Sequence, residues 1–148
     1  MRRSIETLYN KFNGQDIFIV GGGYSVADVD LGFLDDKLTI AINDAYKYLP
    51  NATALYWVDS PWIGRELNGI KCHKSELRFS STYRQGWHIT ADATSTGGAT
   101  MLLDTGDYGF DPNVDNVRGN NSGTQSINLA INMGAKRIYL VGFDMRVD

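Results

Sequence analysis

Three glycines and a serine, Gly21-Gly22-Gly23-Tyr24-Ser25, follow the apolar run Asp16-Ile17-Phe18-Ile19-Val20. A tight glycine turn between a strand and a helix lets a ligand approach the backbone, and unpaired amides at a helix start favour an anion. A phosphate suits such a turn. The spacing departs from the dinucleotide fingerprint, because Val26 stands where the third glycine belongs, and no Gly-Lys-Ser or Gly-Lys-Thr follows to make a P-loop. Two further apolar runs also end in polar residues, Asn43-Asp44 and Asp59-Ser60. Open parallel sheets bind ligands beyond the carboxyl ends of their strands, which makes Asn43, Asp44 and Asp59 candidate contacts. Turns and helix caps favour the same residue types, so each also has an ordinary structural use.

Asp104, Asp107, Asp111 and Asp115 form an acidic run. Such a run could hold a divalent cation, magnesium in an enzyme that bridges phosphates, but it lacks calcium-loop spacing and also reads as a solvated loop. Trp57, Trp62 and Trp87 could stack on a base, although tryptophan more often packs in a core. His88, between Trp87 and Ile89, reads as a strand residue rather than a general base. Cys72 is the single cysteine, which excludes an internal disulfide and a cysteine-based zinc site. It reads as a small buried hydrophobe in a short strand.

These residues need elements to position them. Ile5, Leu8, Tyr9 and Phe12 recur at helical spacing over residues 4–12, and Asn13-Gly14 ends that helix. Residues 16–20, 37–42, 54–58 and 137–141 are short, nearly continuous apolar runs, the pattern of fully buried parallel strands. Shorter strands are predicted at residues 70–73, 77–80 and 87–90. Ser25 is expected to cap a helix through its hydroxyl, with Asp28 completing a box-like pair and Val26, Val29 and Phe33 or Leu34 facing inward. Pro61 opens a helix over residues 61–67. Asn121-Ser122-Gly123 opens another, with Ile127, Ala130 and Ile131 on its apolar face and Gly134 as its stop. Residues 91–121, rich in Gly, Asp, Asn and Thr around the apolar island Met101-Leu102-Leu103, read as a long loop that could act as a lid.

The expected whole is one α/β domain over residues 1–148, Rossmann-like, with a mostly parallel sheet and helices on both faces. A 43% hydrophobic and 21% charged composition suits such a domain. The net charge of −3 argues against a surface built to neutralise nucleic-acid backbone. No apolar run approaches the roughly 18 residues of a membrane span. The basic Met1-Arg2-Arg3 is not followed by the apolar stretch of a signal peptide, so a cytoplasmic location is expected.

Several of these segments together carry a resemblance. Ile19-Val20-Gly21-Gly22-Gly23-Tyr24-Ser25-Val26, Ile42-Asn43, Asn121-Ser122-Gly123-Thr124 and Gly134-Ala135-Lys136-Arg137-Ile138-Tyr139-Leu140-Val141-Gly142-Phe143-Asp144 resemble motifs of bacterial sialyltransferases, monofunctional and bifunctional. They are also similar to the related superfamily of archaeal 6-hydroxymethylpterin diphosphokinases, flagellin-modification proteins and phage proteins. The resemblance implies a nucleotide or nucleotide-sugar partner. It puts Gly22, Gly23 and Ser25 on the phosphate side, Asn43 on the nucleotide, Ser122, Gly123 and Thr124 on the opposite wall, and Asp144 at the floor. The family's Asn within the glycine loop is Gly22 here, and its Pro before the serine is Tyr24. Its catalytic His and Tyr residues lie beyond the last matched motif, and neither His73 nor His88 takes their place. Three uses therefore stay open: a glycosyltransferase-like nucleotide-sugar-binding domain, whole or part of a longer protein; a pterin-type diphosphokinase using ATP and magnesium; and a non-catalytic phage module. Self-association stays open too.

Overall fold

A computed structural model describes residues 12–83 and 97–144. Seven strands form one sheet: β1 Asp16–Val20, β2 Leu38–Ile42, β3 Ala54–Trp57, β4 Leu77–Tyr83, β5 Thr100–Asp104, β6 Asn116–Val117 and β7 Arg137–Val141. Every neighbouring pair is parallel, in the order β6-β5-β4-β3-β2-β1-β7. The chain steps outward from β1 to β6 and then returns to lay β7 on the other side of β1. This reversal makes the β1–β7 boundary a topological switch point, where two crossovers leave in opposite directions and open a crevice.

The apolar runs of β1, β2 and β3 become buried parallel strands because both faces of the sheet are covered there, whereas β7, also expected to be buried, is not, with Tyr139 40% and Leu140 48% exposed. On one face Ile17, Ile19, Ile40 and Tyr56 pack with Leu129 and Ala130 of α3, Ser122–Asn132. On the other, Val20, Ala41, Leu55 and Trp57 pack with Trp62, Ile63 and Ile70 of α2, Ser60–Cys72. Helices on both sides of a parallel sheet are the α/β, Rossmann-like architecture expected from the sequence. Among the described residues, no helix is long and apolar enough to cross a membrane.

Four other local expectations change. The strand expected at residues 70–73 is the last turn of α2, whose buried residues Trp62, Ile63 and Ile70 fall at helical spacing; His73 follows as its cap, and Cys72 is exposed. The helix after the glycine turn, α1, is the single turn Ser25–Asp28. The chain leaves it at Val29 and enters a 3-10 turn, Leu31–Leu34, anchored by Asp30 accepting from the Gly32 amide at 2.9 Å. Val26, Leu31 and Leu34 fill the core, whereas Val29 and Phe33 face outward. On α3, Ala130 is buried but Ile131 is 44% exposed. The long loop holds two strands, β5 and β6, because Leu102 inserts into the core at 1% exposure.

Trp57 and Trp62 are buried with ring centroids 5.9 Å apart, so they pack rather than offer a free stacking face. The helix expected over residues 4–12, except Phe12, and the strand at residues 87–90, with Trp87 and His88, lie outside the described residues.

Candidate functional site

The carboxyl ends of β1 and β7 are laced together by their glycine turns. Gly21 donates to the Val141 carbonyl at 2.8 Å and Gly23 to the Gly142 carbonyl at 2.9 Å, so the strands stay paired past their ends. Gly142 sits at φ +72, and a Cβ on Gly23 would come within 2.6 Å of the Asp144 carboxylate, so both positions demand glycine. Asp144 accepts the Ser25 amide at 2.7 Å and the Ser25 hydroxyl as well. Ser25 thus serves Asp144 and not its own helix: the cap position of α1 is Tyr24, which makes no side-chain cap bond. The Gly22 amide donates to none of the described residues.

Between these turns and α3 lies a cleft of about 580 Å³. Gly22, Gly23 and Gly142 form its backbone side, Ile127, Leu140 and Phe143 its apolar floor, and Tyr24, Asn121, Thr124 and Asp144 its polar rim. A smaller hollow of about 390 Å³ adjoins it along Tyr24, Ser25, Asp28, Val29 and Asp144. The start of α3 is fixed by a reciprocal cap: the Asn121 side chain accepts the Thr124 amide at 2.9 Å, and Thr124 Oγ1 accepts the Asn121 amide at 3.4 Å. Ser122 is buried, and a Cβ on Gly123 would lie 2.9 Å from the Phe143 ring. Of the three residues expected to form the opposite wall, Thr124 lines the cleft, while Ser122 and Gly123 seat the helix behind it.

Asn43 stands at the carboxyl end of β2. Val20 pairs with Ala41, so Gly22 and Asn43 lie equally far beyond that pair on adjacent strands. Asn43 has φ 48, its side-chain oxygen is buried with no hydrogen-bond partner, and it is not part of the cleft lining. A left-handed non-glycine residue with an orphaned polar atom carries two local costs, a combination that concentrates at functional positions. Asp44 is otherwise occupied: the Lys47 ammonium 2.8 Å away, joined by the Trp62 indole, holds its carboxyl below the ordinary range. Asp59 is exposed at the start of α2, beyond β3 and two strands from β1, and is not part of the cleft lining.

The sequence reading passed over a stripe of amides on α3. Asn121, Gln125, Asn128 and Asn132 recur at helical spacing, the signal that could have revealed it. Gln125 is buried. It accepts from Tyr56 and Ser81, each at 2.7 Å, and donates to Asp104 at 3.0 Å and to the Gly119 carbonyl at 2.9 Å. Asn128 accepts the Asp111 and Arg118 amides at 2.9 and 3.1 Å and returns a bond to the Asp111 carbonyl. Asn132 donates to the carbonyls of Asp111 and Asn113, each at 3.1 Å. The loop after β5 is therefore clamped along α3, which corrects the expectation of a lid.

The acidic run separates accordingly. Asp104 is buried at 3% exposure under Gln125, and the Thr105 hydroxyl 2.6 Å from Asp111 holds that carboxyl below the ordinary range. Among the described residues, no three His, Cys, Asp or Glu side chains gather as a metal site. No protein-family model, curated protein or solved structure matches the chain.

Proposed function

We propose that the β1–β7 cleft binds a nucleotide or a nucleotide sugar. One observation carries the proposal: the cleft opens beyond the carboxyl ends of two parallel strands, at the point where strand order reverses, and both strands end there in glycine turns. Its volume of about 580 Å³ suits a ligand of that size. An apolar floor flanked by Asn121, Thr124 and Asp144 suits a ring that carries hydrogen-bonding groups. The Gly22 amide is a donor available to a phosphate. α1, a single turn, adds little helix dipole.

Calorimetric titration with cytidine, uridine and adenosine nucleotides and their sugar conjugates tests this. One saturable ligand is expected, weakened about tenfold by Thr124→Ala, the equivalent of one hydrogen bond to a charged or well-placed group. ATP with and without magnesium belongs in the same series, since chelator-sensitive turnover would redirect the proposal to a diphosphokinase. Silence across the whole series would overturn it.

A further inference from the structure

We infer, on the nucleotide reading of the β1–β7 cleft, that the ligand is held chiefly by its planar base, stacked on the ring of Phe143, and not by its phosphate. Phe143 packs against the core cluster that includes Ile17, Leu129 and Ala130, and it also lines the cleft. Its ring therefore stands between the core and the ligand.

Two glycines fix that ring. A Cβ on Gly123, at the start of α3, would lie 2.9 Å from Cε1 and 3.6 Å from Cζ, an approach to the rim of the ring rather than over its face. On the side of the β1 turn, a Cβ on Gly21 would come within 3.3 Å of Cε2 and 3.4 Å of Cδ2, across the ring from Cε1. A side chain at either position would press on the ring. Seated against backbone from two elements, it is a preorganised platform, and no other aromatic ring among the described residues pairs with it.

The rest of the lining favours a base in the same way. Ile127 and Leu140 extend the apolar surface beside Phe143, and no Lys, Arg or His stands among the described lining residues. Strong phosphate sites rely on charge-assisted bonds, whereas a backbone amide such as that of Gly22 is a neutral donor. Apolar burial and stacking act on the base instead, and an aromatic platform strengthens the hold on each stacked base by about tenfold.

Calorimetric titration of the full chain with adenosine, guanosine, cytidine and uridine, each beside its 5′-monophosphate, and with ribose 5-phosphate, separates the parts of the ligand. The nucleoside that binds is expected to come within severalfold of its monophosphate, with ribose 5-phosphate weaker by about tenfold or more. Phe143→Leu keeps the apolar volume and removes the planar face, so it should weaken that nucleoside about tenfold with an unchanged circular dichroism spectrum. In NMR, the base protons of the bound nucleoside should shift upfield over the ring and lose that shift in the variant. A nucleoside silent where its monophosphate binds, ribose 5-phosphate as tight as the monophosphate, or a folded Phe143→Leu that binds like wild type would each overturn the stacking and leave the nucleotide cleft standing. Silence toward every compound would overturn both. The wild-type comparison decides between base and phosphate even where the variant misfolds.

Discussion

Asn43 holds a left-handed backbone at φ 48 with its side-chain oxygen buried and unpaired, two costs at one position. Removing both should help the protein. Asn43→Gly is therefore expected to raise stability by about 1 kcal/mol in urea unfolding, through relief of the left-handed strain and of the unmet polar group. A loss of stability would show that the asparagine serves the fold. Gly23 carries the opposite expectation. A Cβ there meets the Asp144 carboxylate and the Gly142 backbone, so Gly23→Ala should cost about 1–3 kcal/mol. At this scale the sequence was informative about residue type and silent about partner. The glycines and Asn43 stood out by their places after apolar runs. The bond from Ser25 to Asp144 spans 119 positions, and no local pattern encodes it.

At the scale of elements, α2 and α3 show where pattern reading fails. Ile70 to Cys72 look like a strand when taken alone and become helix only when Trp62 and Ile63 are counted on the same face. The buried stripe of α3 is built largely of amides, so a search for apolar periodicity overlooks it. These amides are structural. Asn128→Ala would strip the Asp111 and Arg118 amides of their acceptor, and a loss of about 1–3 kcal/mol is expected, with faster hydrogen exchange over residues 105–118. Between β2 and α2, Tyr46 donates to Glu66 at 2.7 Å, while Lys47 bridges Glu66 and Asp44. Burial, with Glu66 beside it, pushes the Tyr46 phenol from 10 up to about 12. The folded state then holds this proton more tightly than the unfolded chain. The associated stability is complete below pH 10 and is lost as pH rises toward 12. Tyr46→Phe should flatten part of the alkaline limb of a stability profile, leaving the share of Tyr56, whose phenol burial also raises.

For the molecule as a whole, the fold class was legible because four of the seven strands are apolar runs punctuated by glycine, asparagine or aspartate, and such runs imply a sheet covered on both faces. Strand order was not legible. It depends on the chain's return from β6 to β7, and no local composition records that return. Yet strand order is what creates the cleft, since β1 and β7 are neighbours only through this reversal. In the sequence only the resemblance groups Gly22 and Gly23 with Asp144, since no local pattern links them, and nothing there sets Asp59 apart from the crevice.

An amide-resolved NMR titration with a nucleoside monophosphate tests that crevice most directly, because it reports both whether the ligand binds and where. Saturable shifts are expected at Gly22, Gly23, Thr124, Gly142 and Asp144, with Asp59 unmoved. Shifts centred elsewhere, or none at any concentration, would contradict the assignment of the β1–β7 switch point as a nucleotide site.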